Sequence, residues 1–282
     1  MTDEHVLEII LALGESEENI RAVLMEGSRA TPNASADKWS DFDIVYVTRE
    51  NAPYLDGNWV KREFIPRFGE IAVRQIPDNG DPNKVYTWLI QFADGVRVDL
   101  TFNPLDFLSR TPFESATAVL LDKDGSFAAL PEPSERDYLP KRPAELEYSH
   151  CCNEFWWVSP YVSKALARGQ TLLALKILNT YVRPEYAKAL AWLAAAATDF
   201  AVNLGKADCC VGRYVPPELY AALLSSFPRA EASEIRAALY SLLDAFPQLA
   251  QKTAAVLGFN YDADEGERAA AFIKSHYMEV PQ

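Results

Sequence analysis

The feature that most restricts how this chain can fold is a pair of aspartates, Asp41 and Asp43, at the start of the apolar run 41–47. In a β-strand successive side chains point to opposite faces, so the two carboxylates share one face while Phe42 and Ile44 share the other. Two like charges about 4 Å apart repel by roughly 4 kcal/mol at an effective dielectric constant near 20. A fold that keeps both must protonate one or supply a cation. The pair therefore indicates a Mg²⁺ site, against the alternative of an acidic strand end on a solvated loop.

A Gly-Ser turn precedes the aspartate pair. Residues 20–25 are typical of a short buried strand that runs into Gly27 and Ser28. Glycine lets the backbone approach a ligand closely, and a serine hydroxyl with nearby amides suits a phosphate oxygen. The turn therefore predicts a phosphate contact beside the aspartates.

A third carboxylate lies in the alternating segment 95–102, which follows a hairpin signal at Asp94-Gly95. As a strand, this segment would place Arg97, Asp99 and Thr101 on one face and its apolar residues on the other. We expect the Gly-Ser turn, the Asp-x-Asp pair and Asp99 to form one site.

Composition and charge narrow the classes of partner. The chain has 282 residues, 49% of them apolar, which is enough for two modest domains with their own cores. Its net charge is −13, from 40 acidic and 27 basic residues, and no basic stripe is visible. Nucleic-acid binding is therefore disfavoured. A negative field would instead attract a small polycation, although simple solubility explains the charge equally well.

Other sequence signals predict a cytoplasmic location. There is no apolar run of about 18 residues that would predict a membrane span, and residues 1–5 lack the cationic region of a secretory signal. The four cysteines form two adjacent pairs, Cys151-Cys152 and Cys209-Cys210, which is a poor framework for disulfides or zinc. We expect reduced core thiols.

The pattern changes along the chain from strands to helices. Residues 6–13 predict an opening helix ended by Gly14, and strands and turns then dominate to about residue 102. Four prolines between residues 131 and 143 indicate an extended connection, and helical periods follow residue 144. We therefore predict an α/β domain at residues 1–135 and an all-α domain at residues 136–282.

Three longer sequence motifs resemble those of a known family: residues 25–29 (MEGSR), residues 39–46 (WSDFDIVY) and residues 151–158 (CCNEFWWV). With the later Asp99, they resemble the aminoglycoside 6-adenylyltransferases, the streptomycin-adenylylating branch of the nucleotidyltransferase superfamily that includes DNA polymerase beta. The resemblance runs from about residue 6 to about residue 192. Farther on, the family usually shows several lysines, whereas this chain has Lys206 and Arg213.

The resemblance implies a fold and a reaction. The fold is α/β (α+β), a nucleotidyltransferase-type mixed sheet with flanking helices followed by an all-α helical-bundle domain. The reaction is AMP transfer from Mg-ATP to a hydroxyl of a cationic aminoglycoside, the 6-hydroxyl of streptomycin, with release of pyrophosphate and resulting antibiotic resistance. Asp41, Asp43 and Asp99 would be the Mg²⁺ ligands, and Ser28 and the Gly27 backbone would contact the triphosphate.

Three roles in the nucleotide site stay open. Asp99 is a metal ligand, the base that receives the acceptor proton, or a structural partner of Arg97 or Arg29. Arg29 either binds phosphate or pairs with Asp43 as a scaffold. Lys164 either reaches the β,γ-phosphates or is a solvated helix-surface lysine.

Glu154 is the catalytic candidate of the second half. Its apolar and aromatic neighbours suit a raised pKa and base chemistry, but it would equally bind a substrate ammonium or be a buried, paired carboxylate. Trp156, Trp157 and Tyr161 are candidates for a sugar or cation site, with core packing expected for at least one tryptophan.

Two alternatives to the main function hypothesis remain. One is adenylylation of another small-molecule or protein hydroxyl, and the other is a catalytically silent nucleotide- or drug-binding protein of the same fold. The expected partners are ATP and a cationic aminoglycoside, without nucleic acid or membrane, in a monomer or homodimer.

Overall fold

A computed structural model describes residues 1–31, 36–55, 57–75, 85–108 and 113–276. The chain divides into two compact units, Met1–Tyr138 and Leu139–Gln282. The sequence predicted a division between residues 135 and 136.

The first unit is built on a six-stranded mixed sheet in the order β3-β4-β5-β2-β1-β6. Strands β2 and β5 pair in parallel, and the other neighbours pair antiparallel. This confirms the predicted mixed sheet, and it places Asp43 and Asp99 on adjacent central strands, with Asp41 just before the first of them. The strands are β1 (Ile20–Glu26), β2 (Phe42–Thr48), β3 (Ile71–Gln75), β4 (Tyr86–Phe92), β5 (Arg97–Pro104) and β6 (Thr117–Asp122).

Within the described part of this unit, three α-helices accompany the sheet: α1 (Asp3–Ser16), α2 (Ile65–Phe68) and α3 (Leu105–Leu108). The Thr2 hydroxyl caps α1 by accepting from the His5 amide at 3.3 Å. The prediction that Gly14 ends this helix was wrong, because α1 continues to Ser16. A Cβ atom at Gly14 would lie 2.4 Å from Cγ2 of Val23, so this glycine allows α1 to pack closely on β1.

Alternation along the strands gives the sheet two different faces. Phe42, Ile44 and Tyr46 of β2 lie in the core under α1, where the Tyr46 hydroxyl donates to the Ile10 carbonyl at 2.8 Å. The opposite face is covered at one end by a small apolar cluster, with Ala22, Leu24, Val45, Val47 and Phe127 as its buried members. At the start of β2 this second face carries carboxylates instead.

The second unit is helical throughout its regular structure, as predicted. Its buried core includes Phe155 of α4 stacked on Phe246 of α8, with ring centroids 3.7 Å apart. The helices are α4 (Glu145–Ala167), α5 (Thr171–Ile177), α6 (Arg183–Ala197), α7 (Pro217–Ser225), α8 (Ala232–Leu257) and α9 (Ala263–His276).

All four cysteines are free thiols, and Cys151 and Cys152 are buried as expected. The prediction of a core position was wrong for Cys209, which is exposed in a short turn. Among the helices of the described residues, none has the length and apolar composition needed to cross a membrane.

Candidate active site

Strand register places three carboxylates side by side on one face of the sheet. Asp43 of β2 lies opposite Asp99 of the parallel β5, and opposite Glu26 of the antiparallel β1. We call Asp99, Asp43 and Glu26 the carboxylate row. Asp41, one residue before β2 begins, adds a fourth carboxylate, whose side chain is 35% exposed. The structure thus brings the three sequence-predicted aspartates into one region.

Arg97 is the counter-ion of these carboxylates. Its guanidinium donates two hydrogen bonds to Asp99, each 3.0 Å long, and its Nε also lies 3.3 Å from Oδ2 of Asp41. A bidentate arginine-carboxylate pair is among the stronger polar contacts in proteins. The alternative in which Asp99 pairs with Arg97 therefore describes the contacts seen here.

Glu26 is the member of the row that the sequence reasoning missed. Burial, together with the charges of Glu114 and Asp43, raises the pKa of Glu26 to about 7. The predicted strand ended at Met25, one residue too early. Extending the alternation by one residue puts Glu26 on the same face as Leu24 and beside the Gly-Ser turn, which is the signal that could have found it.

Gly27 lies against the carboxylate of Asp43. It opens a short 3-10 turn, Gly27–Arg29, with a φ angle of +71°, and a Cβ atom there would meet Oδ2 of Asp43 at 2.7 Å. Only glycine combines this left-handed backbone with this close approach. The Gly27 amide donates a hydrogen bond to the Ala116 carbonyl at 3.0 Å, so this N–H already has a partner within the protein. The Ser28 side chain is exposed and accessible to a phosphate.

Arg29 anchors the segment that leads into Asp41. Its guanidinium donates to the backbone carbonyls of Asp37, Ser40 and Asp41, and it pairs with the Asp3 carboxylate. The same group lies 3.9 Å from the centroid of the Phe42 ring, and the Arg29 side chain is only 9% exposed. These contacts favour a scaffold role over a grip on phosphate, although the partners differ from the predicted Asp43.

A cleft continues from the end of the carboxylate row. Thr117 of β6 lies opposite Glu26 and lines a space of about 600 Å³, together with Ala30 after the Gly-Ser turn and the segment around Pro131. The first unit thus has room for a small molecule beside Thr117, the residue opposite Glu26.

Glu154 and Lys164 lie on α4 in the second unit, and both are exposed. The predicted apolar surroundings of Glu154 are not found, because α4 buries Phe155 and turns Glu154 toward solvent. Instead Glu154 lines a cleft of about 580 Å³ with Glu147, Glu185 and Lys188, and the Lys188 ammonium pairs with Glu185 at 2.7 Å. The catalytic role of Glu154 and the phosphate contact of Lys164 stay predictions.

The aromatic residues near Glu154 divide as the sequence suggested. Trp156 is buried and its indole N–H donates to the Tyr261 hydroxyl at 3.2 Å, so it serves the core. Trp157 and Tyr161 are exposed and line a separate groove of about 530 Å³ between α4 and α9.

The donor set of the first unit fits Mg²⁺ in its chemistry, because carboxylate oxygens on one face are the ligands this ion prefers. Among the described residues, however, no three Asp, Glu, His or Cys side chains are grouped as a ready metal site. The Arg97 guanidinium lies against oxygens of Asp41 and Asp99, two of the proposed ligands. A metal ion would have to displace Arg97 from at least one of them.

A mixed sheet that sets a Gly-Ser turn against an Asp-x-Asp strand, with a third aspartate on the parallel neighbour, defines a nucleotidyltransferase-type protein. The family model described as Streptomycin adenylyltransferase matches residues 1–276. The chain belongs to this family, whose members are enzymes that transfer adenylyl groups.

Curated relatives named aminoglycoside 6-adenylyltransferase agree with this assignment. The relative from Campylobacter jejuni is 30% identical, with 92% of this chain and 91% of the relative aligned. The relative from Bacillus subtilis (strain 168) is also 30% identical, with 94% and 95% aligned. A crystal structure of an aminoglycoside 6-adenyltransferase from Bacillus subtilis aligns over 99% of this chain and 100% of that one, at 26% identity and a TM-score of 0.47.

We expect Gly27→Ala to abolish activity and to destabilise the fold by about 2–3 kcal/mol, as a positive φ angle disfavours alanine by about 1 kcal/mol and the Cβ would also displace Asp43. Gly125→Ala is the matched control, because Gly125 has a φ angle of +68° and open space around its Cβ position. Denaturant unfolding and turnover should separate the two variants. Equal effects at both positions would contradict the predicted contact with Asp43.

We expect Glu26→Gln to stabilise the metal-free protein by about 3 kcal/mol at pH 8 and to have little effect at pH 4.5. Because the pKa of Glu26 is raised from 4.5 to about 7, the folded chain binds the proton more tightly than the unfolded chain. This contribution to stability is complete below pH 4.5 and is lost as the pH rises through about 7.

The measurement is urea unfolding in EDTA at both pH values. Glu70→Gln, at an exposed position before β3, is the control that should change stability by less than about 0.5 kcal/mol at either pH. Equal stability of the Glu26→Gln and wild-type proteins at pH 8 would contradict the raised pKa.

Proposed function

We propose that this protein transfers AMP from Mg-ATP to a hydroxyl of a cationic aminoglycoside, the 6-hydroxyl of streptomycin, and releases pyrophosphate. Family membership and the names of the relatives support the proposal. The observation that carries it is the alignment of Asp43 and Asp99 on adjacent strands beside the Gly27-Ser28 turn.

Asp41, Asp43 and Asp99 would hold Mg²⁺ in this proposal. When bound, the ion neutralises the α-phosphate and supports the charge of the departing pyrophosphate. Two further requirements remain. The protein's own side chains must hold the acceptor hydroxyl in line with the phosphorus atom, and one of them must accept the hydroxyl proton.

In this proposal Arg97 exchanges its carboxylate partners for a phosphate of the nucleotide when the nucleotide binds. Its side chain is 40% exposed, so it can leave Asp41 and Asp99 without crossing a packed core. Once released, its guanidinium would pair with a phosphate oxygen of the incoming nucleotide. The exposed Ser28 hydroxyl offers a second polar contact to the triphosphate, while Arg29 holds the backbone of Asp41 in place.

Two carboxylates remain candidates for the proton acceptor. Asp99 is close to the other aspartates but is engaged by Arg97. Glu154 is exposed in a cleft with Glu147 and the ion pair Glu185–Lys188, and its carboxylate suits an ammonium group as well as base chemistry. Lys164 on the same helix is the proposed contact to the β,γ-phosphates.

A small polycation is the acceptor class that the charge balance favours. The net charge of −13 attracts cations and repels nucleic acid. We further propose that the protein acts in the cytoplasm as a monomer or homodimer, without nucleic-acid or membrane partners.

A pyrophosphate-release assay with ATP, Mg²⁺ and a panel of aminoglycosides tests the proposal. Release that depends on streptomycin is the expected result, and mass spectrometry should find AMP on its 6-hydroxyl. ATP binding without release for any aminoglycoside would overturn the assignment. Release with other small alcohols or with a protein acceptor would favour the first alternative, and no release at all would favour the silent binding protein.

We expect Asp43→Asn to lower kcat by at least about 10²-fold, because removing one charge-stabilising group from a polar active site has effects of this size. Asp264→Asn is the control, since Asp264 is exposed in the first turn of α9. Circular dichroism should show an unchanged fold for both. Activity of Asp43→Asn within threefold of the wild type would contradict the metal assignment.

A further inference from the structure

Trp39 is an exposed tryptophan two residues before Asp41. Its surface is 76% exposed, whereas four of the six tryptophans in the chain are buried. A single exposed apolar side chain is common on protein surfaces and does not by itself indicate a site. Two further observations distinguish Trp39: its backbone is anchored, and a cation already lies on its ring.

The backbone around Trp39 is held from both sides. The Trp39 amide donates to Oδ1 of Asp37 at 2.8 Å, and the Asp37 amide donates to the Ser40 hydroxyl at 3.0 Å. Arg29 donates to the carbonyls of Asp37 and Ser40. The indole therefore extends into solvent from a fixed base, so that little backbone entropy is lost when a ligand packs against it.

The ammonium of Lys38 lies 4.7 Å from the centroid of the Trp39 ring, within the range of a cation-π contact. Tryptophan has the strongest cation-π attraction among aromatic side chains. Lys38 is itself exposed and flexibly attached, so another cation can replace it at the ring without disturbing any packed structure.

We propose that Trp39 is the aromatic platform for a guanidinium or ammonium group of the acceptor, and that Lys38 occupies the ring until the acceptor displaces it. This inference rests on the proposed function, whose acceptor is a polycation. Trp39 precedes Asp41 by two residues, and Arg29 anchors the backbone of residues 40 and 41 that joins them. A cation is favoured over an adenine base because the structure shows a cation at this ring.

Equilibrium binding tests the inference separately from turnover. Streptomycin, which carries two guanidinium groups, is titrated into the ATP-free protein, and the change in tryptophan fluorescence is compared between the wild type and Trp39→Leu. We expect the variant to lose the streptomycin-dependent signal of the exposed indole. Isothermal titration calorimetry, which does not need that signal, should show about tenfold weaker binding, a change of about 1.4 kcal/mol. Trp39→Phe should fall between the two proteins.

Steady-state kinetics add a second readout. Trp39→Leu should raise the KM for streptomycin about tenfold and leave the KM for ATP and kcat within twofold. The matched control is Phe227→Leu, because Phe227 is another exposed ring, 63% accessible, with a cation over it, the Arg183 guanidinium at 3.9 Å. This control should leave both KM values unchanged.

The role of Lys38 is tested by a double-mutant cycle. Lys38→Met should tighten streptomycin binding because it removes the competing cation, and this gain should disappear in the Trp39→Leu background. A gain that persists in that background would reflect general electrostatics and would contradict the displacement of Lys38 from the ring.

Several outcomes would overturn the inference. One is streptomycin binding by Trp39→Leu within twofold of the wild type. Another is a Trp39→Leu variant that raises the KM for ATP instead of the KM for streptomycin. A third is weaker streptomycin binding by Trp157→Leu, on α4, with unchanged binding by Trp39→Leu. Wild-type protein that fails to bind streptomycin would also overturn it. Wild-type protein that binds streptomycin through Trp39 but releases no pyrophosphate would overturn only the proposed function.

Discussion

Strand register forces Asp99, Asp43 and Glu26 into one row across three adjacent strands, and the rest of the site compensates for their repulsion. Neighbouring strands are about 4.8 Å apart, and like charges at that distance repel by roughly 3–4 kcal/mol at an effective dielectric constant of 20. Two features of the site reduce this repulsion energy. Arg97 binds Asp99 and Asp41 from one side, and Glu26 has a pKa of about 7, so it is partly protonated near neutral pH.

The sheet tolerates this row because the two faces of each strand perform different tasks. Phe42, Ile44 and Tyr46 supply buried aromatic and aliphatic surface under α1, which is the main source of stability for the central strands. On the other face Val45 and Val47 belong to a small apolar cluster. The charged position on this face of β2 is therefore Asp43, at the start of the strand. The apolar core therefore remains continuous, while one end of the sheet carries the carboxylates of the candidate active site.

Alternation was enough to predict the faces of β2 and β5, because it depends only on local backbone geometry. It could not find the partners of Arg29, which are backbone carbonyls 8 to 12 residues away and leave no side-chain pattern. Glu26 was missed for a related reason: whether a strand continues for one more residue is decided by its neighbours β2 and β6. The surroundings of Glu154 were misjudged because Phe155 and Trp156, although next to it in sequence, turn into the helical core while Glu154 points to solvent.

Two cations of the protein itself stand where substrate charges are proposed to bind. Arg97 contacts the carboxylates that would hold Mg²⁺, and Lys38 lies on the ring proposed for the acceptor. Each substrate would then replace a tethered cation instead of entering an uncompensated acidic site. Such an exchange limits the net gain in charge attraction on binding, so recognition depends more on the geometry of hydrogen bonds and ring contacts than on total charge. This distinction matters for a chain with a charge of −13, which attracts every small cation and needs another basis for choosing among them.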